Sequence, residues 1–336
     1  MLVVRAARRA DHEAFVTLAR NAGSGFTSLS LDDDALAAKL AQSEDSYARR
    51  IEDPSDVSYQ LMLEDSESGR VFGTAAVKAC VGVKKPYFDF KIFTLAQASR
   101  EANQRFDMEA MLLVNDFAGS TEVGSLFVDD GVRGSGAGRL IAQSRYMLIA
   151  ADPARFGQRV VAELRGVVDA DGYSVFYEHV TRPFFRMTFD EADRLSAASD
   201  NQFILDLMPV HPIYVDLLPS QARAVIGQTH PHGVNARRLL EWEGFEYHRY
   251  VDIFDAGPLM SCRTENTRTV RDSRRVTVGA VQGEPVQAVV STDAVDDFRC
   301  VFTEVTVQDS TVGLNDEARR ALDLTDSEAA RIWIRE

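Results

Sequence analysis

Cysteine is scarce in this chain, with three residues among 336, at positions 80, 262 and 300. An odd number at such wide spacing forms neither a disulfide framework nor a metal-binding pattern, so we expect a reducing compartment and no metal ion. The sequence also lacks an apolar run of about 18 residues that could span a bilayer. Its first residues, MLVVRAARR, lack the apolar core of a signal peptide. These absences predict a cytoplasmic protein with no membrane partner.

Basic residues are outnumbered, and they form no basic tract. Lysine and arginine number 37 against 51 aspartate and glutamate residues, which gives a net charge of −14. A nucleic-acid partner is therefore not expected, because no dense positive surface is available to neutralise phosphates. The apolar content of 45% and the charged content of 26% are ordinary for a globular protein. A chain of this length suggests two domains, or one large domain with insertions.

The most informative pattern lies at residues 122–150, EVGSLFVDDGVRGSGAGRLIAQSRYMLIA. An apolar β-type run ends at Val128, an acidic turn follows, and a glycine-rich loop then leads into a long helical pattern. Glycines let a ligand approach the backbone, and the N-terminus of a helix presents N–H groups to anionic oxygens. The segment therefore predicts a pyrophosphate site. The residues expected to contact the ligand are Leu126, Phe127, Val128, Arg133, Gly134, Ser135, Gly136, Ala137 and Gly138.

Three types of phosphate loop compete for this pattern. The dinucleotide fingerprint G-x-G-x-x-G needs a glycine where Arg139 stands, and no G-K-[ST] of a Walker A loop follows. The pattern R-x-x-G-x-G, formed by Arg133, Gly136 and Gly138, resembles the pyrophosphate loop of acyl-CoA N-acyltransferases of the GNAT superfamily. An ordinary glycine-rich turn is the alternative, but the strand before the loop and the helix after it favour the phosphate site.

The helix after the loop is predicted to be amphipathic. Apolar residues at a 3.6-residue period should face the core, namely Leu140, Ile141, Met147, Leu148 and Ala151. Polar residues lie away from the centre of that face, namely Arg139, Gln143 and Arg145.

A second helical pattern, Val234–Glu243, is followed by Gly244 and Phe245. It resembles the GNAT helix that lies beside the acyl-CoA thioester. Two positions depart from that pattern, because Gly233 stands where many members have asparagine, and Leu240 stands where a tyrosine frequently protonates the departing thiolate. An ordinary amphipathic helix closed by glycine is the alternative. The departures mean that a proton donor must come from elsewhere in the chain.

His230, in the segment 227–232 before this helix, is the candidate proton donor. Imidazole exchanges a proton near neutral pH without unusual tuning. The alternative is that His230 and His232 cap or pack beside the start of the helix. A metal site would need further ligands at a suitable spacing, and the sequence offers none.

The chain as a whole resembles the family of bacterial arginine N-succinyltransferases, which begin the succinyl-dependent route of arginine catabolism. The similarity extends from residue 1 to about residue 285 and is looser beyond it. Its most specific blocks are residues 63–69, 119–122, 125–127, 160–166, 171–174, 207–209, 211–214, 225–228 and 250–255. So many blocks in one order are stronger evidence than the glycine loop alone.

This resemblance implies a reaction and the roles of two residues. The reaction transfers the succinyl group of succinyl-CoA to the α-amino group of L-arginine. The family's proton donor is the histidine of an Ile-Gly-Gln-x-His segment, which corresponds to His230, and a leucine that contacts succinyl-CoA corresponds to Leu126. The resemblance also implies a homo-oligomer. Transfer to ornithine or another amine, and a non-catalytic protein that binds acyl-CoA or amino acids, stay open as alternatives.

The order of the predicted elements favours the α/β or α+β class, as a GNAT-like mixed, twisted sheet flanked by helices. We expect the acyltransferase domain over residues 1–272, with a long insertion at about 167–228. A small β-rich C-terminal subdomain is expected over residues 273–336. Near the N-terminus, the sequence predicts a helix over residues 11–22 with Asp11 as its N-cap, a loop over residues 21–28, and a second helix opened by residues 32–34.

Acyl transfer to an amine needs a base, a site for the carbonyl oxygen and a partner for the guanidinium group. Glu122 and Asp116 are candidate bases, and backbone N–H groups along residues 125–128 are candidates for the carbonyl oxygen. A guanidinium group prefers a bidentate carboxylate. The acidic residues considered for it are Glu163, Asp169 and Asp252, although a surface or structural role is the favoured interpretation of all three.

Overall fold

The computed structural model describes residues 1–22, 28–169 and 171–335. The loop predicted over residues 21–28 therefore lies largely outside the described residues. None of the helices in the described part combines the length and the apolar character needed to cross a bilayer. Within the same residues, no group of three or more His, Cys, Asp or Glu side chains is arranged to hold a metal ion.

Strands occur along most of the described chain. They are β1 Leu2–Ala6, β2 Ser58–Asp65, β3 Val71–Lys78, β4 Asp89–Ser99, β5 Gln104–Val114, β6 Thr121–Val128, β7 Arg159–Glu163, β8 Ile213–Tyr214, β9 Glu246–Asp252, β10 Pro258–Arg263, β11 Arg274–Val278, β12 Val286–Thr292, β13 Arg299–Gln308, β14 Thr311–Leu314 and β15 Ala329–Ile334.

Helices alternate with these strands. They are α1 His12–Ala22, α2 Asp33–Tyr47, α3 Ala137–Ala151, α4 Val175–Val180, α5 Arg182–Phe185, α6 Phe189–Ala198, α7 Gln202–Leu207, α8 Ser220–Ala224, α9 Val234–Glu243, α10 Arg268–Asp272 and α11 Asp316–Leu322. The predicted bounds of α9 are confirmed, since Gly244 ends the helix with a left-handed φ of +98°. The predicted acidic opening of α2 is also confirmed, because Asp32 accepts a hydrogen bond from the Ala35 N–H.

The prediction that Asp11 caps the first helix is wrong. Asp11 lies in a short 3-10 turn, and α1 begins after it at His12. Its carboxylate accepts two hydrogen bonds from the Arg5 guanidinium, each 2.8 Å long, and both side chains are about nine-tenths buried. A buried bidentate ion pair is stronger than a neutral capping bond, so the carboxylate turns to Arg5.

The chain forms two compact units, of which the first comprises Met1–Cys80, Thr121–Val160 and Arg263–Glu336. Its strands follow the order β12-β15-β11-β14-β13-β1-β2-β3-β6. A further pairing of β12 with β13 closes the five C-terminal strands into a small barrel, which leaves none of those five with an open edge of its own. The C-terminal segment is thus rich in β-strand. Outside the barrel, this unit has an apolar core where Phe15, Leu36 and Leu40 of α1 and α2 pack with Met62 of β2.

The second unit comprises Val81–Ser120 and Val161–Cys262. Its strands follow the order β7-β10-β9-β4-β5-β8. The helices of the predicted insertion pack on this sheet around a core that includes Phe90, Phe176, Tyr177, Phe185 and Val251. Aromatic rings dominate this core, which accounts for the aromatic clusters in the sequence.

Helix α3 is not amphipathic in the predicted sense. Four of the five apolar residues predicted to face the core are buried, and the fifth, Ala151, is only partly buried. Gln143 and Arg145 are also buried, at 3% and 5% exposure. Gln143 donates a hydrogen bond to the Thr269 hydroxyl of α10, and Arg145 Nε donates to a carbonyl of its own helix. The helix contacts β1, β2, β3 and β6 and is also covered by α10 and C-terminal strands. Its polar face is therefore covered by elements more than 100 residues away in the sequence.

We predict that Gly257→Ala destabilises the protein by about 3 kcal/mol or more. A Cβ atom at Gly257 would lie 1.9 Å from the Leu164 carbonyl oxygen and 2.5 Å from the Gly166 nitrogen, so one of two backbone segments would have to move. Urea denaturation measures the effect. Gly283→Ala is the matched control, since a Cβ there meets no atom within 4 Å. Equal stability of the two variants would contradict the close approach.

Candidate active site

Strand β6 contains a β-bulge at the position of the predicted acyl contacts. Thr74 of β3 lies opposite Phe127, and Ala76 lies opposite Gly124, so β6 has one residue more than β3 between these pairs. Ser125, inside the bulge, has a left-handed φ of +50°. A bulge takes backbone groups out of the ladder between strands and re-aims them. The chain thus supplies the kind of backbone donor that the predicted carbonyl-oxygen site requires.

The glycine loop lies at the end of this strand and begins α3. Gly134 and Gly136 have φ values of +85° and +91°, which L side chains rarely adopt. Gly138 differs, because its conformation does not demand glycine and a Cβ atom there would meet nothing within 4 Å. Helix α3 has no side-chain N-cap and no acidic residue in its first turn. The N–H groups of that turn, including those of Ala137 and Gly138, lack intrahelical acceptors and favour an anion.

Arg133, predicted to supply a cation, lies beside the loop. Its guanidinium group forms an ion pair with Asp130, and its Nε donates a hydrogen bond to the Val128 carbonyl at 3.3 Å. Both charged side chains are exposed, at 61% and 81%. An exposed pair of this type contributes little to stability, so Arg133 can exchange Asp130 for a phosphate at small cost.

The two candidate bases are each paired with a lysine. Glu122 binds Lys78 with a Nζ–Oε2 distance of 2.7 Å. Asp116 accepts hydrogen bonds from the Tyr250 hydroxyl at 2.7 Å and from Lys91 at 3.1 Å. The Tyr250 bond and then the Lys91 contacts hold the pKa of Asp116 below its usual value, although partial burial opposes them. A carboxylate stabilised in this way is a poor proton acceptor.

His230 lies in the second unit, in an extended conformation before a short turn. Its Nδ1 accepts a hydrogen bond from the His232 N–H at 3.2 Å, and its own backbone N–H donates to the Arg165 carbonyl at 2.8 Å. The ring therefore caps the turn, as the structural alternative suggested. Because Nδ1 accepts a hydrogen bond, the neutral ring carries its proton on Nε2. In this tautomer Nε2–H can donate a proton, whereas the lone pair that can accept one is on Nδ1.

The surroundings of His230 favour the neutral ring. Burial lowers its pKa below the ordinary value of 6.5, and the positive charges of Arg165 and His232 lower it further, whereas Asp255 raises it. His230 is thus uncharged at neutral pH and able to accept a proton through the unprotonated form of the ring. Once protonated, it is a stronger acid than an ordinary imidazolium.

A tight crossing of backbone segments supports this histidine. A Cβ at Gly166 would lie 2.1 Å from the Asp255 carbonyl oxygen, so only glycine fits. The Asp255 carboxylate accepts hydrogen bonds from the N–H groups of Gly166 and Gly257. Since Arg165 precedes Gly166 and its carbonyl binds His230, the crossing fixes the histidine backbone. Sequence reasoning missed Asp255 and Gly257, although Gly166 and Asp255 each close one of the specific blocks, 160–166 and 250–255.

None of the three acidic residues considered for the guanidinium group is a free bidentate carboxylate. Asp252 is partly buried, accepts the N–H groups of Phe254 and Asp255, and hydrogen-bonds to the Asp255 carboxylate. Desolvation and the Asp255 charge raise the pKa of Asp252 well above its usual value, which favours its protonated form. Asp169 closes a turn by accepting the N–H groups of Asp171 and Tyr173. Glu163 is exposed at the end of β7.

Comparison with known proteins identifies the family. The family model described as "Arginine N-succinyltransferase beta subunit" matches residues 2–269, and the model of that family's C-terminal domain matches residues 273–333. The chain belongs to the arginine N-succinyltransferase family. The C-terminal segment, for which loose similarity is expected, thus also matches a model of this family.

Individual members of the family are similar over most of their length. The arginine N-succinyltransferase of Enterobacter sp. (strain 638) is 41% identical over 305 residues, which cover 90% of this chain and 88% of the relative. That of Escherichia coli (strain K12 / DH10B) is 40% identical over 287 residues, covering 85% and 83%. A solved structure, arginine/ornithine succinyltransferase subunit AI from Pseudomonas aeruginosa, covers 99% of this chain and 98% of its own. It is 33% identical, with a TM-score of 0.87, which confirms the mixed α/β fold class.

We predict that Gly138→Ala weakens coenzyme A binding about tenfold while slightly stabilising the fold. The new methyl group would enter the space beside the first turn of α3, where an anion would contact the backbone. Alanine is the better helix former, by roughly 0.5–1 kcal/mol. Calorimetric titration and thermal denaturation measure the two effects. Unchanged affinity in Gly138→Ala would contradict the site, and Gly283→Ala should bind coenzyme A like the wild type.

Proposed function

We propose that this protein transfers the succinyl group of succinyl-CoA to the α-amino group of L-arginine, giving N2-succinylarginine and coenzyme A, in arginine catabolism. The observation that carries this proposal is family membership over nearly the whole chain, at 41% identity to an arginine N-succinyltransferase. The relatives' names supply the acyl group and the amine. Residues of this chain supply the chemistry expected of such a transfer.

The acyl-CoA thioester is proposed to bind along the segment from the β6 bulge to the start of α3. Leu126, Phe127 and Val128 would lie along the acyl end and the pantetheine arm. Residues 133–138 would hold the pyrophosphate, through N–H groups of the loop and of the helix N-terminus. A backbone N–H in the bulge would bind the thioester carbonyl oxygen as it gains negative charge.

His230 is proposed to move the proton in this reaction. When the amine nitrogen attacks the thioester carbon, the nitrogen becomes positively charged and must lose a proton. Neutral His230 accepts that proton at Nδ1, directly or through water, and gives up the hydrogen bond that Nδ1 accepts from the His232 N–H; its lowered pKa keeps the ring unprotonated beforehand. The C–S bond then breaks, and the imidazolium Nε2–H donates its proton to the coenzyme A sulfur. One proton enters at Nδ1 and one leaves at Nε2, and exchange with water restores the original tautomer.

We also propose a domain division near residue 272, a homo-oligomeric state and a cytoplasmic location.

Ornithine is a second candidate amine, because the solved relative from Pseudomonas aeruginosa is described as an arginine/ornithine succinyltransferase. A catalytically idle binding protein is not favoured by the matches to named transferases.

We predict that purified protein releases free thiol from succinyl-CoA when arginine is present, and that His230→Ala reduces kcat by about 100-fold or more. A panel of arginine, ornithine and lysine, assayed with a thiol reagent, identifies the amine. His211→Ala is the control, since His211 is exposed and lies outside the His230 turn. A His230→Ala variant with wild-type turnover would remove His230 from the mechanism. An absence of thiol release with every amine would refute the proposed function.

We also predict how activity depends on pH. Neutral His230 is the active form in the free enzyme, so the enzyme's own contribution to the acid limb of kcat/KM should lie at the lowered pKa, below 6.5, in addition to the titration of the amine substrate. Arg165→Gln removes a positive charge that lowers this pKa, so the acid limb should move to higher pH. Profiles of kcat/KM against pH for both proteins check the prediction. An acid limb at the same pH in both would show that Arg165 does not act on the titrating group.

A further inference from the structure

Lys39 of α2 is linked to the β6 bulge by hydrogen bonds through a single intervening residue, Ser28. Its Nζ donates a hydrogen bond to the Ser28 carbonyl at 2.6 Å. The Ser28 hydroxyl in turn bonds to the hydroxyl of Ser125 at 2.9 Å, and Ser125 is the left-handed residue of the bulge. A lysine ammonium group is thereby held close to the backbone where we place the acyl group. All these residues belong to the first unit.

The charge around Lys39 is unbalanced. Among the described residues, no carboxylate lies within ion-pair distance of its ammonium group, which is held by the Ser28 carbonyl. The nearest charges that act on it are those of Lys78 and Glu122, which pair with each other at 2.7 Å. The three side chains together carry one excess positive charge. Burial, followed by the charge of Lys78, lowers the pKa of Lys39 to about 8.

A half-buried ammonium group without an acidic partner fits an anionic ligand. A carboxylate placed against Lys39 would form a charge-assisted hydrogen bond in a partly desolvated site. The carboxylate of such a ligand must also lie near Ser125, because Ser28 links the lysine to that residue. A short acyl chain whose carbonyl is held at the bulge and whose far end carries a carboxylate satisfies both conditions.

We propose that Lys39 is a specificity-determining residue, which binds the distal carboxylate of the acyl group that is transferred at the β6 bulge. This inference rests on the proposed function, and it names the residue that distinguishes a dicarboxylic acyl group from a simple fatty acyl group. Succinyl-CoA and butyryl-CoA have acyl chains of four carbons and differ in the terminal carboxylate. The uncharged chain leaves Lys39 without a partner and is disfavoured for that reason.

The test compares succinyl-CoA with butyryl-CoA in the wild type and in Lys39→Met. Methionine keeps the length of an unbranched side chain and removes the charge. We expect the ratio of kcat/KM for succinyl-CoA to that for butyryl-CoA to fall about 100-fold in Lys39→Met, and to be largely restored in Lys39→Arg. Lys91→Met is the control, because Lys91 is exposed in the other unit, and it should keep the wild-type ratio. An unchanged ratio in Lys39→Met would overturn the proposal.

A binding measurement on the wild type separates this proposal from the proposed function and needs no variant that must fold. Calorimetric titration at pH 8.5, in buffers of different ionisation enthalpy, reports protons taken up on binding. A carboxylate that binds Lys39 raises the pKa of that lysine. The binding of succinyl-CoA should therefore be accompanied by the uptake of more protons than the binding of butyryl-CoA. Equal uptake by the two thioesters, together with an unchanged ratio in Lys39→Met, would contradict the role of Lys39. A protein that shows this difference but releases no thiol with arginine would refute the proposed function alone.

Discussion

Backbone hydrogen bonding that is interrupted twice within fifteen residues is the constraint on which the proposed acyl-CoA site depends. The β6 bulge breaks the ladder with β3, and the start of α3 has no side-chain cap. Such interruptions normally cost stability unless something else holds the backbone. Here α3 is buried on all sides, including its polar face, so the helix cannot shift to relieve them. Rigid packing thus keeps the donor groups of the bulge and of the helix start in place, which is the pre-organisation that the proposed acyl transfer requires.

The surroundings of His230 depend on a different constraint, which is the close approach of two backbone segments. Glycines at positions 166 and 257 let these segments meet, and the Asp255 carboxylate bonds to both of them. The pKa of Asp252 beside Asp255 is raised, which favours its neutral form and limits the repulsion between two like charges in one site. This arrangement fixes the Arg165 carbonyl, which accepts the His230 N–H, and it places the Arg165 guanidinium group near the ring. Gly166, which allows the close approach, is therefore the direct neighbour in sequence of Arg165, whose carbonyl and charge act on His230.

Local signals in the sequence were enough to predict several parts of this arrangement. The bounds of α9 follow from Gly244, and the loop at residues 133–138 follows from glycines at positions of left-handed backbone. Features made by distant segments were not predictable. The burial of Arg145 depends on elements far along the chain, and the proximity of Lys39 to Ser125 joins residues 86 positions apart through Ser28. Periodicity describes one element at a time, and these contacts depend on which elements become neighbours.

The central claim is that backbone N–H groups at the start of α3 bind the diphosphate of an acyl-CoA. A crystal structure determined with coenzyme A tests it most directly. The account predicts pyrophosphate oxygens within about 3 Å of amide nitrogens in residues 134–138, with the thiol end extending along β6 toward Ser125. Well-ordered coenzyme A bound away from this loop, or with its diphosphate in contact with side chains alone, would contradict the account.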